Sequence, residues 1–188
     1  VRSSAASDVY KRQVIFSALE PETDIQAICM RVGQALAIET SADVAVVGSM
    51  PEEAAGLERY LAEPDYDQRA RSSALRRTAT RLGRNLWLVP ADLTPEKDNS
   101  AALHSFFSEI RCEFEYSIVQ GQPAGESSMT TEIGQVADGV VLVISAQRTR
   151  RASARKIKEM LEAAQVRLLG TVLSDREFPI PEGIYRRL

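Results

Sequence analysis

Short apolar runs alternate with amphipathic patterns along most of this chain. Continuous apolar runs predict buried strands, because a strand covered on both faces is apolar throughout. These runs cover residues 14–18, 43–49, 85–91, 116–123, 138–145 and 166–174. Between the runs, apolar residues recur at helical spacing, which predicts helices around residues 25–36, 52–61, 103–110 and 154–164.

The alternation of strands and helices predicts an α/β fold. A helix between two consecutive strands brings them into a parallel sheet, and right-handed crossovers place the helices against its faces. We therefore expect a doubly wound, mostly parallel sheet with helices on both faces, which is a three-layer domain. At 188 residues the chain is long enough to build one such domain with a substantial core.

The first thirteen residues, VRSSAASDVYKRQ, differ from the rest of the chain. They show no periodicity and begin without methionine, as translated adapter or vector sequence does. We predict that residues 1–13 are a non-native leader and that residues 14–188 form a single domain.

Composition and charge are those of an ordinary globular protein. The chain is 44% hydrophobic and 26% charged, with a net charge of −3, so no global field favours nucleic acid or an anionic membrane. No apolar run approaches the roughly 20 residues that a transmembrane helix needs. These features predict a cytoplasmic protein.

Cysteine and histidine are scarce. Cys29 and Cys112 both fall in apolar helical patterns and are predicted to be buried, reduced thiols. His104 is the single histidine, and we expect it on the surface of its helix. With these three residues a zinc site is not expected. Trp87 lies in a predicted strand and is assigned to the core.

Residues 14–37 have the outline of a phosphate-binding P-loop, a strand followed by a short loop and an amphipathic helix. The loop itself reads Glu20-Pro21-Glu22-Thr23-Asp24, with neither glycine nor lysine. A carboxylate about 4 Å from a phosphate oxygen repels it by about 4 kcal/mol at an effective dielectric of about 20. Asp24 is well placed to cap the following helix. The loop is therefore predicted to be a capped helix start instead of an anion site.

Several segments occur in an order and spacing that carry a resemblance. These are NLWLVPA, FEYSIVQGQPAG, VADGVVLVISAQRTRR, LEAAQVRLLGTVLS and FPIPEGIYRRL. Together with the opening strand they resemble the bacterial tyrosine kinases of capsule and exopolysaccharide assembly. Those kinases are P-loop ATPases related to the chromosome- and septum-positioning ATPases. The resemblance implies a P-loop NTPase-like fold over residues 14–188.

The resemblance also implies positions for a nucleotide site. In active members the first loop reads G-x-x-x-x-G-K-[ST], in which backbone N–H groups and the lysine hold phosphate and the hydroxyl holds magnesium. Here Ile25 falls at the lysine position and Gln26 at the hydroxyl position, preceded by Glu22, Thr23 and Asp24. The phosphate-binding (Walker A) loop is thus predicted to be degenerate.

The remaining nucleotide-site positions differ from the kinase pattern as well. Gly48 and Ser49 stand where active members carry aspartates, Gln120 stands at the metal-site aspartate and Ser174 at the adenine-contacting asparagine. We interpret these vestigial positions as one site lost as a unit. No catalytic residue, metal or cofactor is expected. Binding of ATP with magnesium is expected only if the chain is an active kinase.

Gln120 and Gly121 lie at the carboxyl end of a predicted central strand, where α/β proteins bind ligands. We expect a filled pocket there, and a retained non-nucleotide ligand is the alternative.

Arginines form two clusters. Arg148, Arg150, Arg151 and Arg155, with Lys156 and Lys158 beyond them, are either a solvated helical face or a docking patch for an acidic partner or an anionic membrane. The arginines within residues 69–84 are expected to be exposed. Nucleic acid is not expected, because the clusters lack interleaved aromatic residues.

These observations predict a pseudoenzyme that acts as a regulatory or protein-interaction module in polysaccharide biosynthesis or export. The expected partners are proteins of the assembly machinery, including a membrane-bound chain-length regulator that would hold the chain at the inner face of the plasma membrane. An oligomer is left open. Two alternatives remain. One is an active ATPase or tyrosine kinase with an unconventional nucleotide site, completed by a partner or by Arg148 or Arg151, and the other is the cytoplasmic tail of a chain-length regulator.

Overall fold

The computed structural model describes residues 11–49, 73–95, 99–126 and 128–175. Within these ranges the strands are β1 Arg12–Ala18, β2 Val44–Gly48, β3 Thr80–Arg81, β4 Leu86–Pro90, β5 Tyr116–Gln120, β6 Gly139–Ser145 and β7 Leu168–Ser174. The helices are α1 Ile25–Thr40, α2 Ala74–Thr78, α3 Ser100–Glu113, α4 Met129–Val136 and α5 Arg151–Ala163. All six predicted strands are confirmed. The predicted helix at residues 52–61 lies outside the described residues.

The strands form one seven-stranded sheet in the order β3-β4-β2-β5-β1-β6-β7. Every neighbouring pair is parallel except β3 and β4, which are antiparallel. After β1 the chain continues to β2, which lies on one side of β1 in the strand order. After β5 it continues to β6, which lies on the opposite side of β1. This confirms the doubly wound, mostly parallel sheet.

Alternate side chains of the strands enter two separate cores. Phe16, Val46 and Ile118 pack with α1 on one face of the sheet, whereas Ile15 and Val119 belong to the core on the other face. That second core contains the buried hydrophobic residues of α2 to α5. The three predicted layers are therefore present.

Helix α1 lies very close to the sheet. A Cβ atom on Gly33 would be 2.6 Å from Cγ2 of Val46, so only glycine allows this approach. The helix ends at Thr40, and the following Ser41 adopts a left-handed conformation with φ of 54°. Cys29 is fully buried on this helix, as predicted, and burial raises the pKa of its thiol to about 12.

Strand β1 begins at Arg12, two residues before the predicted start. Arg12 pairs in register with Tyr116, and Gln13 is fully buried, with its backbone N donating to Oδ2 of Asp138 at 2.7 Å. The predicted boundary at residue 13 therefore falls inside a strand. Residues 1–10 lie outside the described residues, and the foreign origin of the leader stays a prediction.

Three expectations about single side chains are wrong. Cys112 is exposed, because the buried face of α3 carries Leu103, Phe106, Phe107 and Ile110 and a residue two positions later is turned about 200° away. Arg76 and Arg81 are half-buried instead of exposed.

Arg76 owes this position to its neighbours. Its guanidinium lies 4.6 Å from the ring centroid of Trp87 and 5.3 Å from that of Phe114, and it pairs with Asp43. Trp87 itself is half-buried against the core, in agreement with its assignment. His104 is exposed on α3, as predicted.

Candidate functional site at the carboxyl ends of the strands

A cavity of about 490 Å³ opens at the carboxyl ends of β1, β2 and β5. Its lining includes the apolar residues Val47, Val119 and Ile133. The polar lining residues are Glu20, Thr23, Asp24, Gln26, Ser49, Thr94, Gln120 and Gln122. This edge of a doubly wound sheet is where such folds bind ligands, so the cavity is the candidate site.

The charged residues that line the cavity in the described part of the chain are both acidic, Glu20 and Asp24. Glu20 accepts a hydrogen bond of 2.6 Å from Oγ1 of Thr149, which in turn accepts from the backbone N of Ser145 at 3.0 Å. These bonds connect the loop after β1 with the loop after β6. Glu20 therefore serves as a structural acceptor.

Asp24 caps helix α1, as the sequence predicted. Its Oδ1 accepts from the backbone N of Ala27 at 2.8 Å. The loop forms a short turn in which the backbone N of Thr23 donates to Glu20 O at 3.2 Å. Residues 20–24 contain no positive φ angle, so this backbone differs from the glycine-dependent one that encloses a phosphate.

Gln120 connects the ends of β5 and β2. Its Oε1 accepts from the backbone N of Ser49 at 3.1 Å, and the Ser49 carbonyl accepts from Nε2 of Gln26 at 3.0 Å. The side chain fits because residue 48 is glycine: a Cβ atom there would lie 2.5 Å from Oε1 of Gln120. Three of the vestigial positions thus form one hydrogen-bonded network.

The structure brings most of the vestigial positions to the cavity. Thr23, Asp24, Ile25, Gln26 and Gln120 line it, and Gly48 adjoins it through its contact with Gln120. The expected filling of the pocket is only partial, since an open volume remains.

Besides Gly48, two vestigial positions do not line the cavity. Glu22 is exposed on the loop. Ser174 lies at the end of β7, the outermost of the described strands on its side of the sheet, where it pairs with Ser145. Its hydroxyl donates to Ile144 O at 3.4 Å.

Helix α4 contributes to the site and was missing from the sequence prediction. Met129 and Ile133 of this helix line the cavity, as do Ala91 and Thr94 from the turn after β4. Met129, Ile133 and Val136 follow the i, i+4, i+7 spacing of one helical face, which was the available signal.

The arginine cluster at residues 148–155 does not contribute to the cavity lining. Arg148, Arg150, Arg151 and Arg155 are exposed, and none of them lines the cavity. Thr149, between two of them, donates a hydrogen bond to Glu20, which lines the cavity.

Among the described residues, no group of three or more His, Cys, Asp or Glu side chains is arranged to hold a metal. No helix within the described ranges combines the length and apolar character required to cross a bilayer.

No protein-family model matches the chain. Over 93 residues the chain is 29% identical to Tyrosine-protein kinase CpsD of Streptococcus agalactiae. The match covers 47% of this chain and 41% of that protein, so the chain corresponds to less than half of this relative.

Solved structures show the same fold. The kinase domain of VpsO superposes with a TM-score of 0.69 at 16% identity, covering 93% of this chain and 92% of that chain. The MinD cell division protein of Aquifex aeolicus superposes with a TM-score of 0.64 at 15% identity, covering 94% and 72%. The sheet and its helices define a P-loop NTPase-like α/β domain. The predicted resemblance to the bacterial tyrosine kinases among the P-loop ATPases is confirmed.

Proposed function

We propose that this chain is a catalytically inactive relative of the exopolysaccharide-assembly tyrosine kinases that does not bind ATP. It acts as a regulatory or protein-interaction module in polysaccharide biosynthesis or export. The observation that carries the proposal is the hydrogen-bonded network at the cavity, in which the backbone of Ser49 donates to the side chain of Gln120 and accepts from the side chain of Gln26.

The position of the phosphate-binding lysine supports this proposal. Ile25 occupies it, and the Ile25 side chain is 6% exposed and belongs to the core between α1 and the sheet. A hydrophobic side chain there stabilises the helix against the sheet but leaves a phosphate charge without a counterion. The adjoining end of α1 already has its cap in Asp24, which reduces the anion-binding capacity of the helix start.

Charge in the cavity gives the second line of support. Glu20 and Asp24 are the charged lining residues among those described, and no lysine or arginine of this part of the chain lines the cavity. A magnesium nucleoside triphosphate needs cations beside its phosphates and acidic ligands on its metal. Gln120, at the metal-site position, supplies a neutral amide engaged with Ser49. These residues do not fit the nucleotide.

The active-kinase alternative requires a phosphate-binding lysine or arginine supplied to the cavity from elsewhere in the chain or from a partner. Arg148 and Arg151, its candidates, do not line it. The hypothesis of a catalytically inactive protein therefore has the better geometric support. By extension from the resemblance, the proposed partners are proteins of the assembly machinery, including a membrane-bound chain-length regulator, and the proposed location is the inner face of the plasma membrane.

A turnover assay with a genetic complement tests the proposal. Purified chain, alone and mixed with the cytoplasmic segment of the chain-length regulator, is expected to release no phosphate from ATP and to form no phosphotyrosine. Deletion of the gene is expected to alter the amount or length of the exported polysaccharide, and the wild-type gene restores it. Turnover that the Arg148→Ala variant abolishes would establish the kinase alternative. An unchanged polysaccharide after deletion would refute the regulatory role.

A further inference from the structure

The positive charges of the chain are unevenly distributed. Six of the 23 lysines and arginines fall within residues 148–158, a stretch without Asp or Glu. We call these residues the α5 basic patch: Arg148, Arg150, Arg151, Arg155, Lys156 and Lys158. The protein as a whole has a net charge of −3, so this patch is a local reversal of sign.

The side chains of the α5 basic patch face solvent and are mostly without partners. All six residues are exposed. Lys158 pairs with Glu162 at 3.4 Å. Among the described parts of the chain, no side-chain hydrogen bond or ion pair engages the other five. The charges are therefore available to an external anion.

The patch works against the stability of the helix that carries it. Helix α5 begins at Arg151, its N-cap residue Arg150 makes no side-chain cap, and its first turn contains no acidic residue. The positive end of a helix dipole disfavours cations, and Arg151 and Arg155 form a like-charged i, i+4 pair. Folding of the helix gives no physical reason for these arginines, which points to an intermolecular role.

The shape of the patch favours an extended anionic surface. Arg151, Arg155 and Lys158 follow one another at i, i+4 and i+7, so they form a ridge along one side of α5. A convex ridge can lie against a flat layer of charges over its whole length.

An exposed apolar side chain lies near the end of β7, the strand whose end is hydrogen-bonded to the loop that leads to α5. Leu173, near the end of β7, the last of the described strands on this side of the sheet, is 54% exposed. The backbone N of Ala146 donates to Ser174 O at 2.9 Å, which holds the loop of Arg148 and Arg150 next to this end of β7. Basic side chains next to an apolar one are the combination found at membrane surfaces.

We infer that the α5 basic patch binds the surface of a bilayer that contains anionic lipid headgroups. The inference concerns direct contact between protein and lipid, and it does not depend on whether the cavity binds a nucleotide.

Vesicle sedimentation tests this inference with the full 188-residue chain. The probes are vesicles of phosphatidylcholine alone and of phosphatidylcholine mixed with an equal amount of phosphatidylglycerol. The chain is expected to sediment with the mixed vesicles only, and to be released at 1 M salt, where charges are screened beyond about 3 Å. The Arg151→Gln/Arg155→Gln variant is expected to bind the mixed vesicles about 30-fold more weakly, at about fivefold per cation.

A matched variant controls for the loss of charge alone. Arg31 on α1 and Arg167 before β7 are also exposed, and Arg31→Gln/Arg167→Gln is expected to bind as the wild type does. Circular dichroism verifies that both variants are folded.

Three results would overturn the inference. The first is an absence of wild-type binding to the mixed vesicles, and the second is equal loss in the two variants. The third is wild-type binding to soluble polyglutamate, weakened by Arg151→Gln/Arg155→Gln, without vesicle binding. That outcome would assign the patch to an acidic protein partner.

Discussion

The side chain of Gln120 occupies the space into which a Cβ atom on Gly48 would project. The separation between that Cβ position and Oε1 of Gln120 would be 2.5 Å, and Cβ of Gln120 would be 3.1 Å away. The resemblance to active kinases places acidic residues at both positions. In this chain the two replacements depend on each other, because the glutamine reaches Ser49 only across a glycine. This mutual fit supports the interpretation that the site changed as a unit.

Substitution of Gly48 by alanine tests this dependence. The added methyl group displaces the Gln120 amide and breaks its hydrogen bond to Ser49, so we expect a loss of about 1–3 kcal/mol in the free energy of unfolding. In a Gln120→Ala background the same substitution is expected to cost at least about 0.5 kcal/mol less. Urea denaturation of the two single variants and the double variant measures this coupling. Strictly additive losses would contradict the contact.

The acidic loop is expected to act through capping rather than through charge. Asp24→Ala removes the acceptor for the Ala27 N–H group and should lower the free energy of unfolding by about 1 kcal/mol. Asp24→Asn keeps a capping oxygen without the charge and should retain most of the stability. If urea denaturation showed equal losses for both, the negative charge would be the important property and the capping account would fail.

Arg76 is expected to stabilise the edge of the sheet near β4. The Arg76→Met variant loses the contacts with Trp87, Phe114 and Asp43, and we expect a loss of about 1–3 kcal/mol. Arg77, the exposed neighbour on α2, provides the control, because Arg77→Met should change stability by less than about 0.5 kcal/mol. Trp87 fluorescence during urea denaturation reports both values. Equal effects at the two positions would exclude the structural role of Arg76.

The two cysteines are expected to differ in reactivity. Burial raises the pKa of Cys29 to about 12, whereas Cys112 is exposed. A thiol reagent at pH 8 should therefore modify one thiol in the folded chain and both in denaturant, because the thiolate is the reactive form. Cys112→Ser should remove the reactivity of the folded chain. Rapid modification of Cys29 in that variant would contradict the burial of α1 against the sheet.

The same thiol predicts the direction of a pH effect. In the unfolded chain Cys29 ionises at an ordinary thiol pKa, so as the pH rises above about 9 the unfolded state loses this proton first. Its contribution to stability is complete below that pH and declines as the pH rises towards 12. Urea denaturation of the wild type and of Cys29→Ala across this range isolates the contribution. A Cys29-dependent stability that increased with pH would contradict the assignment.

Long apolar runs made most of the fold predictable. The run at residues 138–145 marked β6, and the spacing from Leu103 to Ile110 marked α3. Strand β3 could not be predicted, because its two residues, Thr80 and Arg81, are too few to leave a pattern. Gln13 falls within the predicted leader, although it is part of β1. The sequence gives no sign that this polar residue is buried, because its hydrogen-bond partners, Phe107 and Asp138, are distant along the chain.

The sequence predicted only those features of the candidate site that involve residues close to one another along the chain. Asp24 caps a helix that begins at the next residue, so its role could be inferred from neighbouring positions. The contact between Ser49 and Gln120 depends on the register of β2 against β5, in which Val47 faces Val119. Sequence alone does not specify that register. Ser174 does not line the cavity, because its strand β7 lies beyond β6 in the order of the described strands.

The central claim is that the cavity does not accept a magnesium nucleoside triphosphate. Isothermal titration of the folded chain with MgATP measures this directly, and a bacterial tyrosine kinase domain with an intact G-x-x-x-x-G-K-[ST] loop serves as the positive control. The account predicts no binding tighter than a Kd of about 0.1 mM, which corresponds to about −5.5 kcal/mol. Tighter binding, reduced by substitution of cavity residues such as Gln26 or Gln120, would contradict it.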